Sequence, residues 1–210
     1  MHAYRPVLAL LLAALAWSFV PAQAVADEAV ATVSRLRGDA TLVRNNDWRA
    51  LKVGDTVNEA DHLLTAKGSQ VELRFRDGSI LVLGSDSEIV LSRYPMTGDK
   101  RAAAVGWLEL LRGILRMALE PGPPESGFAV LSRAAVASVR STEWVVEVDG
   151  QHTAVFVAHG SVGVRSIQSG GQVVLSPGEG TDVTEPGDPT PPKPWGQARV
   201  DDAMARTTIR

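Results

Sequence analysis

The sequence predicts an all-β protein, with many short strands in a two-layer or solenoid-like stack and a short helix near the C-terminus. Two segments carry the β signal. Over residues 71–75 apolar and polar side chains alternate, and the turn sequence Asp77-Gly78 follows directly. Over residues 144–148 the same alternation precedes Asp149-Gly150. Before residue 71, Gly-Asp and Gly-Ser pairs recur about every fifteen residues, roughly the spacing of short strands and turns.

The N-terminal residues have the layout of a secretory signal peptide. Arg5 supplies a positive charge, residues 6–20 carry none, and small residues follow at Ala22-Gln23-Ala24. As a helix the uncharged run would span only ~22 Å, less than the ~30 Å of a bilayer core. We therefore expect residues 1–24 to be removed on export, with cleavage after Ala24 or Ala26. This predicts a periplasmic protein without a stable membrane anchor.

The first predicted β block covers residues 29–91. Its most distinct element is a hairpin in which strand 71–75 joins the apolar strand 80–83. The two residues Asp77-Gly78 suit a type I′ turn between these strands. In that register Phe75 faces the protein interior.

Residues 92–127 join the two blocks and contain an ambiguous apolar segment at 102–119. Leucines near helical spacing favour a helix there, whereas Gly106 and Gly113 weaken that interpretation. The alternative is two strands that meet at a turn on Gly113. Local sequence leaves both possibilities open.

The second predicted β block covers residues 128–183. Its alternation places Trp144 in the core. Asp149-Gly150, His159-Gly160 and Gly170-Gly171 divide the block into the short strands 144–148, 153–158, 161–165 and 172–175. The two blocks share a loose order of strand, Asp-Gly turn and strand, which suggests a weak internal duplication.

A proline-rich linker and a short helix follow. Residues 185–194 contain five prolines and predict an extended linker that holds the rest at some distance from the second block. Residues 195–210 form the tail, with a helix expected over 197–206. Trp195 and the apolar face of that helix could pack on the β body, or stay free to contact a partner.

Composition and charge exclude several classes of function. The chain has 21 Lys and Arg against 24 Asp and Glu, so no basic excess is available for nucleic acid. It has no Cys, which excludes disulfides and thiol nucleophiles. No spacing of His or acidic residues fits a catalytic zinc, and Ser161 lacks the glycine spacing of a nucleophile elbow. We therefore expect no catalytic residue, metal or cofactor. Trp48, at the end of a polar loop, is a candidate contact for a partner.

Several stretches, taken in order, resemble the FecR domain of bacterial envelope signalling proteins. LKVGDTV at 51–57 resembles its opening L-x-x-G-D motif, and QVELRFRDGSILVL at 70–83 resembles its F-x-D-G-S hairpin. VASVRSTEWVVEV at 136–148 resembles a V-R-G-T-x-F motif, with Ser141 in place of the usual Gly. Residues 153–164 and 178–180 resemble the closing motif. The matching positions are Gly54, Asp55, Phe75, Asp77, Gly78, Arg140, Thr142, Trp144, Gly160 and Gly178.

The resemblance implies a FecR-like β domain over residues 29–183, in which those positions are structural and 108–119 is a strand, a turn at Gly113 and a second strand. It implies a non-enzymatic periplasmic protein that binds other proteins in envelope signalling or scaffolding. No segment resembles the family's cytoplasmic sigma-factor-binding part, so direct contact with a sigma factor is not expected. Expected partners are envelope proteins, such as an outer-membrane receptor, or cell-wall polymer. They would meet Trp48, Trp195, the loop 93–101 or the linker. The alternatives are a self-assembling structural envelope protein and a wall-polymer hydrolase.

Overall fold

The computed structural model describes residues 29–93, 105–121, 127–139 and 142–210. Within these ranges the chain forms seventeen strands and one helix. The strands before residue 100 are β1 (Ala31–Arg37), β2 (Ala40–Arg44), β3 (Asp47–Ala50), β4 (Thr56–Val57), β5 (His62–Thr65), β6 (Gln70–Phe75), β7 (Ile80–Leu83) and β8 (Glu88–Arg93). The later elements are β9 (Val105–Ala118), β10 (Gly127–Leu131), β11 (Ala135–Val139), β12 (Glu143–Asp149), β13 (His152–His159), β14 (Val162–Ser166), β15 (Gln172–Leu175), β16 (Glu179–Thr184), β17 (Lys193–Pro194) and α1 (Gln197–Arg206).

The strands form two sheets that share β9. Sheet 1 has the order β4-β1-β6-β7-β9-β12-β13-β16-β17. Sheet 2 has the order β3-β2-β5-β8-β9-β10-β11-β14-β15. All pairs are antiparallel except β9–β10. Both sheets therefore run from early strands through β9 to late strands. The predicted all-β class is confirmed.

β9 is a single long strand that passes from one sheet to the other. Its first half pairs with β8 and β10 in sheet 2, and its second half pairs with β7 and β12 in sheet 1. Gly113 lies at the change of sheet with φ 91°, a conformation that other residues rarely adopt. A Cβ at Gly113 would overlap Ser87, whose hydroxyl accepts the Ile114 N–H at 3.0 Å. The strand prediction for this segment is confirmed over 105–118. The reversal at Gly113 is wrong, because the strand bends there and continues.

The inner faces of the two sheets pack together as one core. Leu42 and Leu63 of sheet 2 share a buried cluster with Leu73 and Trp144 of sheet 1. Each such aliphatic side chain contributes about 1.5–3 kcal/mol when it leaves water. Trp144 has no exposed surface, so its predicted place in the core is confirmed.

The β6–β7 hairpin has the predicted strands and a different turn. Phe75 is buried, as its register predicted. The Gly78 N–H bonds to the Phe75 carbonyl at 3.1 Å, and the Phe75 N–H bonds to the Ser79 carbonyl at 2.9 Å. Positive φ occurs at Gly78 and not at Asp77, so the type I′ turn is wrong. The connection is instead a three-residue loop, in which the Asp77 carboxylate accepts the Ser79 N–H at 2.9 Å.

The C-terminal segment returns to the body of the protein. α1 spans the residues predicted for the helix. β17 pairs with β16, and the Thr190 N–H bonds to the Asp182 carbonyl at 2.9 Å. The linker is therefore extended and forms the edge of sheet 1. The prediction that it holds the tail at some distance is wrong, because the polar groups of its backbone pair with β16.

Candidate binding surfaces

The outer faces of the two sheets differ in what covers them. On sheet 1, Val145 and Phe156 form a second buried cluster with Trp195 and Ala203 of the C-terminal segment. No described helix covers the outer face of sheet 2, where Trp48, Leu111 and Val174 are exposed. Among the described residues, the tail thus covers one apolar surface, and the opposite one is left open.

Trp195 anchors the tail on sheet 1. Its ring stacks on Phe156 with centroids 5.0 Å apart. The guanidinium of Arg199, a residue of α1, lies 3.6 Å from the centroid of the Trp195 ring. The indole also packs directly on Gly180, where any Cβ would collide with it. Only 8% of Trp195 is exposed. The structure therefore has the intramolecular arrangement, and a role for Trp195 as a partner contact does not fit this burial.

Ion pairs hold α1 at both of its ends. Asp182 accepts two hydrogen bonds from Arg199, at 2.7 and 3.2 Å, and lies 3.2 Å from His152. The hydrogen bond from Arg199 lowers the pKa of Asp182 most, and the charges of Arg199, His152 and Lys193 add to this against partial burial.

At the other end of α1, Arg206 lies 2.6 Å from Glu147 and 3.2 Å from Asp202. Burial acts to lower the pKa of Arg206, but hydrogen bonds and charge from Glu147 and Asp202 outweigh it and raise that pKa. The Arg206 carbonyl also accepts the Gln70 side-chain amide at 2.8 Å. Both β blocks therefore contact the tail.

Trp48 lies on the open sheet at one end of a row of outward-facing residues. The β2–β3 turn places Asn45 and Asn46 at φ 50° and 68°, which fits the two-residue type I′ geometry. Trp48 then stands opposite Val43 with 65% of its surface exposed. Cross-strand pairing continues this Trp48 row through His62, Val90, Glu109, Leu131 and Val136. The row is mostly apolar and crosses seven neighbouring strands of sheet 2.

The motif residues near the start of the domain shape the backbone. Gly54 has φ 91°, and its N–H bonds to the Val33 carbonyl at 2.9 Å. The Asp55 carboxylate accepts the Lys52 N–H at 2.9 Å and Arg49 at 3.0 Å. These contacts stabilise the connection between β3 in sheet 2 and β4 in sheet 1.

The later motif residues have comparable positions. Thr142 is buried and donates to the Ser161 carbonyl at 3.3 Å. Gly160 and Gly178 lie in turns with φ 83° and 85°. The Gly178 carbonyl accepts a hydrogen bond from the backbone N–H of Trp195 at 3.1 Å. Arg140, the predicted signal peptide and most of the loop 93–101 lie outside the described residues.

Chemistry-bearing groups do not converge in the described ranges. No group of three or more His, Asp or Glu side chains there could hold a metal ion. His152 contacts Asp182 and His159 contacts Glu143, at opposite ends of β13. No helix in the same ranges is long and apolar enough to cross a bilayer.

In the described ranges the fold is a two-layer β protein whose motif residues lie in turns, in the core or in backbone contacts, and whose second sheet has an open outer face. A family model described as FecR protein matches residues 61–163. Residues 61–163 therefore carry a FecR domain. The match lies within the predicted domain and spans the β5–β14 region that joins both blocks.

Two crystal structures of a candidate anti-sigma factor from Parabacteroides distasonis, at 1.65 and 2.50 Å resolution, resemble the fold. Each has a TM-score of 0.55 and 20% sequence identity over 68% of this chain. The chain covers 64% and 63% of theirs, which is less than two thirds of their length. The likeness therefore concerns the fold alone. No protein of curated function matches the chain.

Proposed function

We propose that this FecR-domain protein is a non-enzymatic binding module of the cell envelope that acts in signalling or as a scaffold. The observation that carries the proposal is the open outer face of sheet 2 with Trp48 at its end. The likeness of the fold to a candidate anti-sigma factor supports a regulatory role. The FecR domain at residues 61–163 supports a place in the envelope.

The chemistry of the Trp48 row favours a protein partner over a polysaccharide. Trp buries about 150–250 Å² in a contact and is enriched among residues that dominate binding energy. The row adds Val43, Val90, Leu131 and Val136, which are aliphatic and offer no stacking surface for sugars. An outer-membrane receptor or another envelope protein with an apolar strip fits this surface best. Cell-wall polymer is the alternative partner.

Site-specific crosslinking in cells tests the proposal. A photoreactive residue at Trp48 should give an adduct with an envelope protein, whereas the same residue at exposed Asp149 on sheet 1 should not. The variant Trp48→Ala should reduce recovery of that protein with little change in melting temperature, because the side chain is largely exposed.

Sedimentation with purified wall polymer separates the two kinds of partner. Binding of the polymer that depends on Trp48, without a protein adduct, would move the assignment to the alternative. If neither partner is found at this position, the Trp48 row is not a binding surface. Hydrolysis of the polymer by the purified protein would contradict the non-enzymatic assignment.

Export is a separate part of the proposal. The uncharged run and the small residues at Ala22-Gln23-Ala24 support cleavage of a signal peptide. N-terminal sequencing of the periplasmic fraction should begin at Val25 or Asp27. A product that keeps Met1 and sediments with the inner membrane would contradict periplasmic release.

A further inference from the structure

The terminal strands of the two sheets differ in how they are protected against pairing with another chain. In sheet 1, β4 has two residues and β17 is Lys193–Pro194. In sheet 2, β3 places Asp47 and Arg49 toward the inner side, since Arg49 stands opposite buried Leu42. Short strands, proline and inward charges all hinder the addition of a strand. β15 at the other end of sheet 2 has none of these features.

The backbone of β15 has unpaired groups on its outer edge. The Ser166 N–H bonds to the Gly171 carbonyl at 2.9 Å, so these two residues form a hydrogen-bonded pair. Hydrogen-bonded and non-hydrogen-bonded pairs alternate along an antiparallel ladder. Gln172 and Val174 therefore direct their N–H and C=O groups away from β14. In the described part of the chain, β15 has no strand partner other than β14.

Two apolar side chains at or near this edge are exposed. Val174 is 66% exposed, and Ile167 in the preceding turn is 51% exposed. The four residues of β15 carry no charge. An edge with free backbone groups and exposed β-branched side chains is a template for another strand.

We propose that β15 pairs with β15 of a second copy of this chain, antiparallel about a two-fold axis. Gln172 of each copy then lies opposite Val174 of the other, and the two Val173 residues face each other. In this register the outward N–H and C=O groups of Gln172 and Val174 in one copy meet those of the other copy, which gives four backbone hydrogen bonds. Outward side chains also meet outward ones, so both sheets keep their buried face.

The self-complementary register favours a second copy as the occupant, and charge does not oppose it. The cation closest to the edge on the outer face is Arg165, which stands opposite Gln172. With strands ~4.8 Å apart and ~3.4 Å per residue, the two Arg165 Cα atoms would be about 16 Å apart in the pair. That exceeds the screening length of about 10 Å at 0.1 M salt. The side chain of Asp188 packs against Gly171, which takes no part in the proposed Gln172–Val174 pairs.

The contact is small, so the dimer should be weak. Four residues per copy bury far less than the roughly 800 Å² per partner of a standard interface. We expect a concentration-dependent equilibrium, with monomer at micromolar and dimer at millimolar concentration. This inference does not depend on a partner at Trp48, which lies on β3 at the opposite end of sheet 2.

Sedimentation equilibrium of the purified protein tests the pairing. The weight-average mass of the wild type should rise toward twice the monomer mass as concentration increases. Val174→Pro removes an N–H that points away from β14 and has no strand partner among the described residues, so it should abolish the rise with little effect on the melting temperature. Val174→Lys should do the same by placing a charge on the edge.

The matched control is Ala50→Pro on β3. Ala50 also directs its N–H outward, because the adjacent Leu51 N–H bonds to the Ala40 carbonyl at 2.9 Å. This variant should dimerise like the wild type. A wild type that stays monomeric at millimolar concentration, or a dimer that persists in both Val174 variants, would overturn the proposal. Partner capture at Trp48 would be unaffected by either result.

Discussion

Replacing Trp195 by Ala should show that the C-terminal tail contributes to the stability of the whole domain. The side chain is almost fully buried between Phe156 and the guanidinium of Arg199. Truncation of a buried aromatic residue to Ala costs about 3–5 kcal/mol, part of which is the stacking and cation–π contact. The loss has an upper bound, because a mutation in the tail cannot remove more than the free energy with which the tail docks.

Two variants measure that bound and the effect itself. Deletion of residues 195–210 gives the free energy with which the tail docks. Trp195→Ala should lower the free energy of unfolding by most of that amount and by no more than that amount. Urea unfolding of each variant, followed by circular dichroism, measures both quantities. Because Trp195→Ala should lower the free energy of unfolding by about 3–5 kcal/mol, its melting temperature should fall by several degrees or more.

Trp48→Ala is the matched control, since it removes the same side chain from a largely exposed position. Its effect should remain within about 0.5 kcal/mol. If Trp195→Ala and Trp48→Ala have equal and small effects, the tail does not stabilise the β body and the covering of sheet 1 is wrong. A loss in Trp195→Ala larger than in the deletion would show that the variant disturbs more than docking.

Three further outcomes follow from the packing and the charges. Phe75→Ala should lower the free energy of unfolding by about 3–5 kcal/mol, because the ring is fully enclosed; a parent-like urea midpoint would contradict the hairpin register. Gly113→Ala should cost about 2 kcal/mol or more from positive φ and overlap with Ser87, and thermal melts compared with a Gly54→Ala control, whose Cβ meets nothing, should show the excess. Because the folded pKa of Asp182 lies below 3.8, its contribution is complete above that pH and is lost as pH falls through the folded pKa; tail docking followed by Trp fluorescence should weaken there in the wild type and not in Asp182→Asn.

The hairpins were predictable because their signal is local. Alternation over 71–75 and 144–148 sets the face of each side chain, and a Gly-containing turn follows each strand. The exact turn at Asp77-Gly78 was not predictable, because both the two-residue and the three-residue loop accept glycine at a position with positive φ.

The β9 segment misled local reasoning for a definite reason. Leu108 and Leu110 face the core before Gly113, whereas Leu115 and Met117 face it afterwards. This change of phase imitates the spacing of a helix, and the residues have high helix propensity. Pairing with four neighbouring strands outweighs that preference. The phase change at a glycine was the available signal for a strand that changes sheets.

The uncovered face of sheet 2 could be predicted only in part. The polar loop before Trp48 indicated exposure, but the alignment of that residue with Val43 and Val90 depends on strands distant in sequence. The sequence left open whether Trp195 packs on the β body or stays free, because its cover, Phe156, lies thirty-nine positions earlier in the printed sequence. Such contacts depend on topology, which local patterns do not specify.

The sharing of β9 by both layers has a consequence for how the molecule opens. In the strand pairing the two halves of the protein are joined through this one strand, so neither half can separate without breaking hydrogen bonds to β9 in both sheets. The backbone amides of Leu110 and Leu115 should therefore exchange with deuterium only through global unfolding. The terminal strands β3 and β15 should exchange much sooner. β9 is thus the cooperative centre that makes two stacks of short strands unfold as one unit.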